Sequence, residues 1–158
     1  ATLRANRPEK LVVGPEELLK KVPFFRDLPL DEFRRVSERL RLRTAPTGDR
    51  IVTQGRPGSA LYLIARGVVR VTRKDDGAVH DVATLMAGDF FGEMALLHGG
   101  ARTATCRAVT PCALYELRRD DLEVVCEVCP EMKQALQEAD RVRRDELAAL
   151  GSAIADPV

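Results

Sequence analysis

The stretch Phe90–Thr105, FFGEMALLHGGARTAT, carries two charges that an apolar core does not need. Its apolar turn GEMALL follows a glycine and has Glu93 at its start. The pair Gly99–Gly100 then turns the chain toward Arg102, which stands among small and hydroxyl residues. Since hydrophobic packing requires neither the carboxylate nor the guanidinium, the stretch predicts that a charged or polar group binds between them.

The residue types around these two charges indicate the chemistry of that group. A short helix over GEMALL leaves amide groups unpaired at its N-terminus, where the helix dipole attracts anions such as phosphate. Gly92 lets a ligand approach the backbone, and the planar fork of Arg102 suits two phosphate oxygens. Glu93 would instead accept a hydrogen bond from a sugar hydroxyl. A phosphate fused to a sugar explains both charges, while an ordinary surface ion pair between Glu93 and Arg102 stays open as the alternative.

The chain around this stretch, residues 43–117, has the pattern of short antiparallel strands. Turn signals such as PTGD, QGRPGS, KDDG and MAGD separate runs rich in β-branched residues, such as VVRVT. Strands at roughly ten-residue spacing favour an antiparallel sandwich or barrel. The Asp-Gly pair in RKDDGA predicts a tight hairpin turn.

Helical patterns precede and follow the strands, so the prediction is a mainly β domain with flanking helices. Residues 15–42 contain PEELLKK, which follows Gly14 and begins a helix at Pro15, and a second helix near Asp31. The apolar face of that second helix is expected to comprise Leu30, Phe33, Val36 and Leu40. Residues 119–150 contain RDDLEVVCEV and a last helix that begins at Pro130 and is expected to end near Gly151. Residues 1–14 and 151–158 are expected to be flexible ends of one domain.

The last helix places an arginine within its apolar face. At about 100° per residue, one narrow stripe holds Met132, Leu136, Ala139, Leu147 and Leu150. Arg143 lies at the centre of that stripe, and a buried arginine requires a partner such as a purine base beneath its flat guanidinium. Equally open is the alternative that Arg143 extends to solvent and covers apolar surface with its stem.

Composition excludes several classes of function. The formal net charge of +1 gives no overall attraction to nucleic acid or anionic lipid, and we expect no nucleic-acid partner. No apolar run reaches the ~20 residues of a membrane span, and the N-terminus lacks a signal-peptide core. The histidines, His80 and His98, are isolated, and Cys126–Cys129 lacks the second half of a zinc site. We therefore expect no metal, no catalytic residues and reduced, largely buried thiols.

The quoted stretch resembles the phosphate-binding cassette of cyclic nucleotide-binding domains, and the likeness extends from about Pro15 to Leu150. The cassette comprises residues 90–105, and the likeness includes the segment PTGDRIVTQGRPGSALYLIARGVVRV that precedes it. The family implies an eight-stranded antiparallel β-roll with N-terminal helices and two C-terminal helices. Of these two, the first is the hinge, and the last, which begins at Pro130, is the lid. FFGEMAL and the last helix opening PEM are most similar to the C-terminal domain of bacterial cyclic nucleotide-gated potassium channels.

The resemblance implies a role for each matching position. Glu93 is expected to accept the ribose 2′-hydroxyl, and Arg102 to pair with the cyclic phosphate with help from the Thr103 hydroxyl. The other implied ligand-binding positions are Gly92 with the amides of Glu93, Met94 and Ala95 around the sugar-phosphate, Val71, Ala83 and Leu85 at the base, and Arg143 as a cap over the base. Because Thr103 supplies a hydroxyl that can also contact guanine, cGMP is expected to bind as well as cAMP, and we expect cAMP to be the physiological ligand.

The implied function is that nucleotide binding closes the last helix and regulates an attached membrane channel or transporter. The domain is then expected on the cytoplasmic side of the cell membrane, covalently joined to that protein. The alternative is the sensing domain of a catabolite-activator-type transcription regulator without its DNA-binding part. A protein kinase regulatory subunit and a cupin-type enzyme are further rivals, although two isolated histidines do not supply cupin metal ligands.

Overall fold

The computed structural model describes the backbone of residues 18–20 and 22–155, and the side chains of the same residues except 147 and 150–155. The strands are β1 Leu40–Ala45, β2 Arg50–Val52, β3 Ala60–Arg66, β4 Val68–Asp75, β5 Ala78–Met86, β6 Phe90–Phe91, β7 Thr105–Ala108 and β8 Cys112–Arg118. The helices are a 3₁₀ turn Pro23–Phe25, α1 Leu30–Ser37, α2 Glu93–His98, α3 Arg119–Val128 and α4 Pro130–Ala155.

The strands form two four-stranded antiparallel sheets, in the orders β1-β8-β3-β6 and β2-β7-β4-β5. The predicted fold class, an eight-stranded antiparallel β-roll with flanking helices, is confirmed for the described part of the chain. The hairpin predicted at RKDDGA is also present, since β4 pairs with β5 and both Asp76 (φ 51°) and Gly77 (φ 83°) have positive φ. This is the conformation that a two-residue turn needs to match the twist of its strands.

Two hydrophobic cores hold the sheets and helices together. One lies inside the roll between the sheets, around Ile64, Phe91 and Leu114. The other lies between the first sheet and the helices, and α4 contributes Met132 and Leu136, which are fully buried. The start of α4 is therefore anchored by apolar packing before the helix reaches Arg143.

The N-terminal helical region is shorter than predicted. Helix α1 ends at Ser37, and Leu40 begins β1, where LRLRTA pairs with β8 from Leu40↔Leu117 onward. The four-residue step from Val36 to Leu40 misled the helical interpretation, whereas the alternation of LRLR has the period of a strand. Leu30 was wrongly placed on the buried face, since it is 59% exposed at the first position of the helix.

The C-terminal helix is longer than predicted. Gly151 does not end α4, which continues to Ala155, so residues 152–155 belong to the helix rather than to a tail. Glycine within a helix costs only about 1 kcal/mol and does not by itself end one. The predictions for residues 1–14 and 156–158, and for the start of GPEELLKK, lie outside the described residues.

In the part of the chain that the structure describes, we find no helix with the length and apolar character to cross a membrane.

Candidate ligand-binding site

A cavity of about 490 Å³ lies between the second sheet, the cassette and α4. The sheet contributes Val52, Val71, Arg73, Val82, Ala83 and Cys106; the cassette contributes Phe91, Gly92, Glu93, Met94, Ala95, His98, Gly99, Ala101, Arg102, Thr103 and Ala104; and α4 contributes Ala139, Val142, Arg143 and Glu146. The three surfaces meet because the cassette connects β6 to β7 and α4 packs over the cassette helix α2.

All the predicted site residues except Leu85 line this cavity. Val71 and Ala83 pair across β4 and β5 and face it together. Leu85 pairs with Val69, one step further along the same face, and is buried in the core of the roll instead. The family resemblance implied Leu85 by its position; it shares a strand face with Ala83 but lies beyond the depth of the cavity along β5.

Arg102 is buried beneath the cavity, with 8% of the residue exposed. Its guanidinium lies over the Tyr62 ring, with Cζ 6.0 Å from the ring centroid. Among the described residues, its Nη1 is fully buried and has no hydrogen-bond partner. Loss of hydration lowers the pKa of Arg102, as expected for a cation held away from water. A buried donor of this kind is costly unless a ligand acceptor meets it.

Glycines create the space that Arg102 occupies. A Cβ at Gly92 would lie 2.9 Å from Arg102 Nη1 and 2.8 Å from the Ala60 carbonyl oxygen, and Gly92 has φ 93°. A Cβ at Gly58 would lie 2.6 Å from Arg102 Cζ. The sequence identified Gly92 but not Gly58, because no local pattern around Gly58 indicates its contact with Arg102, 44 residues later in the chain.

Tyr62 and Glu116 support Arg102 from below, and sequence reasoning missed both. The Tyr62 hydroxyl donates to Glu116 Oε2 at 3.0 Å and accepts from Arg43 Nη1 at 3.1 Å. Burial, followed by the charge of Glu116, raises the pKa of Tyr62, so the phenol stays neutral. The one sequence signal for this network was the tyrosine within the apolar strand LYLIA, because a buried tyrosine hydroxyl usually has a hydrogen-bond partner.

Glu93 is also buried, with 1% of the residue exposed. Its Oε1 lies 2.6 Å from Arg143 Nη1, which also donates to Oε2 at 3.0 Å. Arg143 Nη2 donates to the Phe90 carbonyl at 3.1 Å. Burial raises the pKa of Glu93, and the charge of Arg143 and the amides of Met94 and Glu93 oppose that rise.

These contacts decide two questions that the sequence left open. Within the described residues, the ion pair of Glu93 is with Arg143 and not with Arg102, so the surface ion pair between Glu93 and Arg102 is excluded. The side chain of Arg143 is 31% exposed but directs its fork into the site, so it does not merely extend to solvent. Both cassette charges line the cavity, but they do not form a pair with each other.

The mouth of the cavity contains residues that the sequence did not single out, Val82 of β5 and Val142 of α4, which are 45% and 38% exposed. Val82 lies at a register shift, since Val71 pairs with Ala83 while Thr72 pairs with Asp81. An irregularity of this kind is set by strand pairing and is not visible in the local sequence. The two valines leave an apolar opening of the kind that accepts a flat ring.

The thiols near the site and elsewhere in the described residues are reduced. Burial raises the pKa of Cys106 to about 12, so that thiol is neutral and unreactive. The cysteines of the described chain are free thiols: Cys106, Cys112 and Cys129 are buried, and Cys126 is half-buried. Among the described residues, no group of three or more His, Cys, Asp or Glu side chains could hold a metal ion.

Comparison with known proteins agrees with this geometry. Residues 42–128 match the family model for the cyclic nucleotide-binding domain. The chain is 32% identical to a cyclic nucleotide-gated potassium channel of Mesorhizobium japonicum over 84% of its length, and 37% identical to a cAMP-dependent protein kinase regulatory subunit of Yarrowia lipolytica over 66%. These alignments cover 36% and 28% of the two relatives, so the chain spans only about a third of their length.

A solved structure adds a third kind of relative. The chain resembles the catabolite activator protein of Thermus thermophilus with 35% identity and a TM-score of 0.67, over 80% of this chain and 61% of that one. The relatives thus include a potassium channel, a protein kinase regulatory subunit and a catabolite activator protein.

Proposed function

The chain belongs to the cyclic nucleotide-binding domain family, and from that premise we propose that it binds cAMP, and also cGMP, in the cavity between the roll and α4. The single observation that carries the proposal is the buried Arg102, whose Nη1 has no hydrogen-bond partner among the described residues. A cyclic phosphate supplies the missing acceptor and the compensating charge, and the fork geometry of arginine suits two of its oxygens.

The remaining contacts divide the nucleotide into three parts. The amides at the start of α2, at Glu93, Met94 and Ala95, face the sugar-phosphate next to Arg102. The Glu93 carboxylate accepts the ribose 2′-hydroxyl. The base lies toward the mouth of the cavity, against Val71 and Ala83. In this arrangement the ligand uses both charges of the cassette, Arg102 for the phosphate and Glu93 for the ribose.

Closure of α4 converts binding into a signal. The helix is anchored at its start by Met132, while its cavity face carries Ala139, Val142 and Arg143. With nucleotide bound, Arg143 and its apolar neighbours cover the base, and the population shifts toward the closed arrangement. The N-terminal helices transmit the movement to whatever is attached to them.

Thr103 sets the expected selectivity. Its half-buried side chain lines the cavity next to Arg102, where the hydroxyl adds a contact to the phosphate. A guanine turned over the sugar brings its exocyclic amine near the same hydroxyl. Both nucleotides therefore bind, and cAMP is the physiological ligand.

The output that we favour is regulation of an attached membrane channel or transporter, with this domain on the cytoplasmic side. The alignment over 84% of the chain to the Mesorhizobium japonicum potassium channel supports it. The second candidate is the sensing domain of a transcription regulator, which the likeness to the catabolite activator protein favours. Nucleotide-dependent ion flux through the full-length gene product in vesicles would support the first candidate, whereas nucleotide-dependent DNA binding would support the second.

Calorimetric titration with cAMP and, separately, cGMP tests the binding proposal directly. Nucleotide-free wild type should bind each nucleotide at one site. The Arg102→Ala variant should bind at least about a hundredfold more weakly, because a buried charge pair is lost. Arg70→Ala is the matched control, since Arg70 is an exposed arginine on β4 outside the cavity. Absence of heat with folded, stripped wild type would overturn the proposal, as would unchanged binding by Arg102→Ala.

A further inference from the structure

Helix α4 contacts the cassette helix α2 through charges at both ends of α2. At the first residue, Glu93 pairs with Arg143. At the last residue, His98 Nε2 lies 2.9 Å from Asp140 Oδ2. Asp140 and Arg143 are three residues apart and so lie on one face of α4. His98 lines the cavity, but the proposed contacts with the nucleotide do not use this second pair.

Asp140 is a buried carboxylate on α4. Only 5% of the residue is exposed, and among the described residues its Oδ1 has no hydrogen-bond partner. Its Oδ2 is also 3.3 Å from Arg144 Nε, a neighbour one turn along α4. A carboxylate removed from water is costly unless it is paired, so its position depends on His98 and Arg144. His98 is the partner that belongs to another element.

The other ion pairs of α4 differ from this one in kind. Arg141 pairs with Glu138 and Asp145, all three are more than half exposed, and the contacts stay within the helix. Exposed pairs of this kind contribute little to stability. Among the ion pairs of the described residues, only those of Asp140 and Arg143 join α4 to α2.

We infer that Asp140 is a positioning residue for the lid: through His98 it fixes α4 against the end of the cassette helix, so that Arg143 is held over the cavity. The inference rests on the proposed function for its consequence, since a lid held closed binds nucleotide more tightly. The His98 side chain is 47% exposed, so solvent protons reach it. A protonated imidazole is the stronger partner for a carboxylate, and imidazoles gain their proton between pH 8 and 5. The hold on the lid is therefore stronger while the imidazole is protonated.

Other charged groups lie around this contact. Those near His98 are Arg143, Arg144 and Glu146 of α4, Arg119 of α3 and Glu93 of α2. Arg119 donates to the carbonyls of Ala95 and Leu96 and so also holds this end of α2. Glu93 titrates in its own right, and its effect on nucleotide binding must be separated from that of His98. The ratio between a variant and the wild type at each pH removes the contribution of Glu93.

The test compares cAMP dissociation constants at pH 5.5, 6.5 and 7.5 for wild type, Asp140→Asn, His98→Gln and the control Glu138→Gln. Relative to wild type, Asp140→Asn should bind about threefold more weakly at pH 7.5 and about tenfold more weakly at pH 5.5, since the ion pair is strongest there. His98→Gln should show the same trend, and the double variant should be no weaker than Asp140→Asn. Glu138→Gln should stay within about twofold of wild type at every pH.

A measurement without nucleotide separates this inference from the proposed function. Hydrogen exchange of the backbone amides of residues 139–146 should be about five- to tenfold faster in His98→Gln than in Glu138→Gln at pH 5.5. If wild type binds no cyclic nucleotide, the proposed function fails, and this exchange alone decides whether His98 holds the lid. Equal exchange in the two variants overturns the inference. A ratio of dissociation constants that does not change with pH overturns it too, as does faster exchange with unchanged binding. Because His98 is half exposed, its variant keeps the fold even if Asp140→Asn does not.

Discussion

Arg143 Nη1 lies 2.6 Å from Glu93 Oε1, so the carboxylate of the cassette is held by the helix that covers it. The carboxylate is buried, and the same guanidinium also donates to the Phe90 carbonyl at the start of β6. One arginine thus connects the lid to the first residue of the cassette helix and to the strand before it. A ligand hydroxyl that reaches Glu93 must share this carboxylate with Arg143, so binding and lid position are physically linked.

Replacement of Arg143 by alanine should weaken cAMP binding by about tenfold or more, because a buried carboxylate loses its partner and the lid loses an attachment. Calorimetry at pH 7.5 measures the effect. Arg141→Ala is the matched control, since Arg141 lies two residues away on α4 and pairs only within the helix. Equal affinities for the two variants would show that Arg143 contributes nothing to closure.

Replacement of Glu93 by glutamine tests the consequence of its raised pKa. Between the ordinary pKa of 4.5 and the raised value, the folded protein holds a proton that the unfolded chain has released. The stability from this linkage is fully present below pH 4.5 and is lost as the pH rises through the folded value. We therefore expect wild type to lose stability relative to Glu93→Gln as the pH rises from 4.5 through the raised pKa of Glu93, as measured by urea denaturation. A difference that grows in the opposite direction would mean that Glu93 is ionised more easily when folded.

Nucleotide binding should depend on Glu93 with the opposite sign. The ribose hydroxyl needs the ionised carboxylate as its acceptor, so the advantage of wild type over Glu93→Gln shrinks as the pH falls through the raised pKa of Glu93. At pH 7.5 the variant should bind cAMP about ten- to a hundredfold more weakly, since a hydrogen bond to a charged group is lost. Glu127→Gln, an exposed carboxylate on α3, is the control and should bind as wild type does.

Much of this site could be predicted because its chemistry is local in the chain. Gly92, Glu93, Arg102 and Thr103 lie within one stretch, and their residue types match the contacts of a sugar-phosphate. The helical periodicity of α4 also identified Arg143 without any knowledge of its partner. The partner itself, Glu93, lies 50 residues earlier in the chain, and no local pattern records that contact.

The features that could not be predicted depend on packing between distant segments. Gly58 and Tyr62 lie against Arg102 because β3 runs beneath the cassette. Leu85 lies on the correct face of β5 but beyond the depth of the cavity. Leu40 continues the helical spacing of α1, yet its segment pairs with β8 as a strand. For Leu40, strand pairing overrode a local helical pattern, whereas the contacts of Gly58 and Tyr62 and the depth of Leu85 depend on packing that no local pattern records.

Gly58→Ala should impair the phosphate site while leaving the fold intact. The new Cβ would lie 2.6 Å from Arg102 Cζ and 2.7 Å from Nη2, so the guanidinium must move. We expect cAMP binding to weaken by about tenfold, since a shift of this size misaligns a charged hydrogen bond. Ser59→Ala, at the exposed neighbouring position, is the control. Calorimetry gives the affinities, and unchanged binding by Gly58→Ala would mean that Arg102 has room to relax.

The thiols should differ in reactivity according to their burial. Cys106 is buried with a pKa of about 12, whereas Cys126 is half-buried on α3. Reaction with a disulfide reagent at pH 8 should show one fast phase from Cys126 and very slow reaction of the other thiols until the protein unfolds. Cys126→Ser should remove the fast phase, and Cys112→Ser should leave it. A fast phase that survives Cys126→Ser would show that the helical end of the molecule opens more readily than its packing indicates.

Truncation within α4 separates the lid from the anchor of the helix. Removal of the whole helix from Glu131 would also strip Met132 and Leu136 from the core, so loss of binding would be ambiguous. A chain that ends at Ala139 keeps both core residues but lacks Arg143 and the rest of the cavity face of α4. This chain should stay folded and bind cAMP at least about tenfold more weakly, because Arg102 retains the phosphate while the base is left uncovered. Circular dichroism and calorimetry provide the two readouts, with a chain ending at Ala149 as the control. If the shorter chain binds as tightly as the control while remaining folded, the distal part of α4 does not act as a lid.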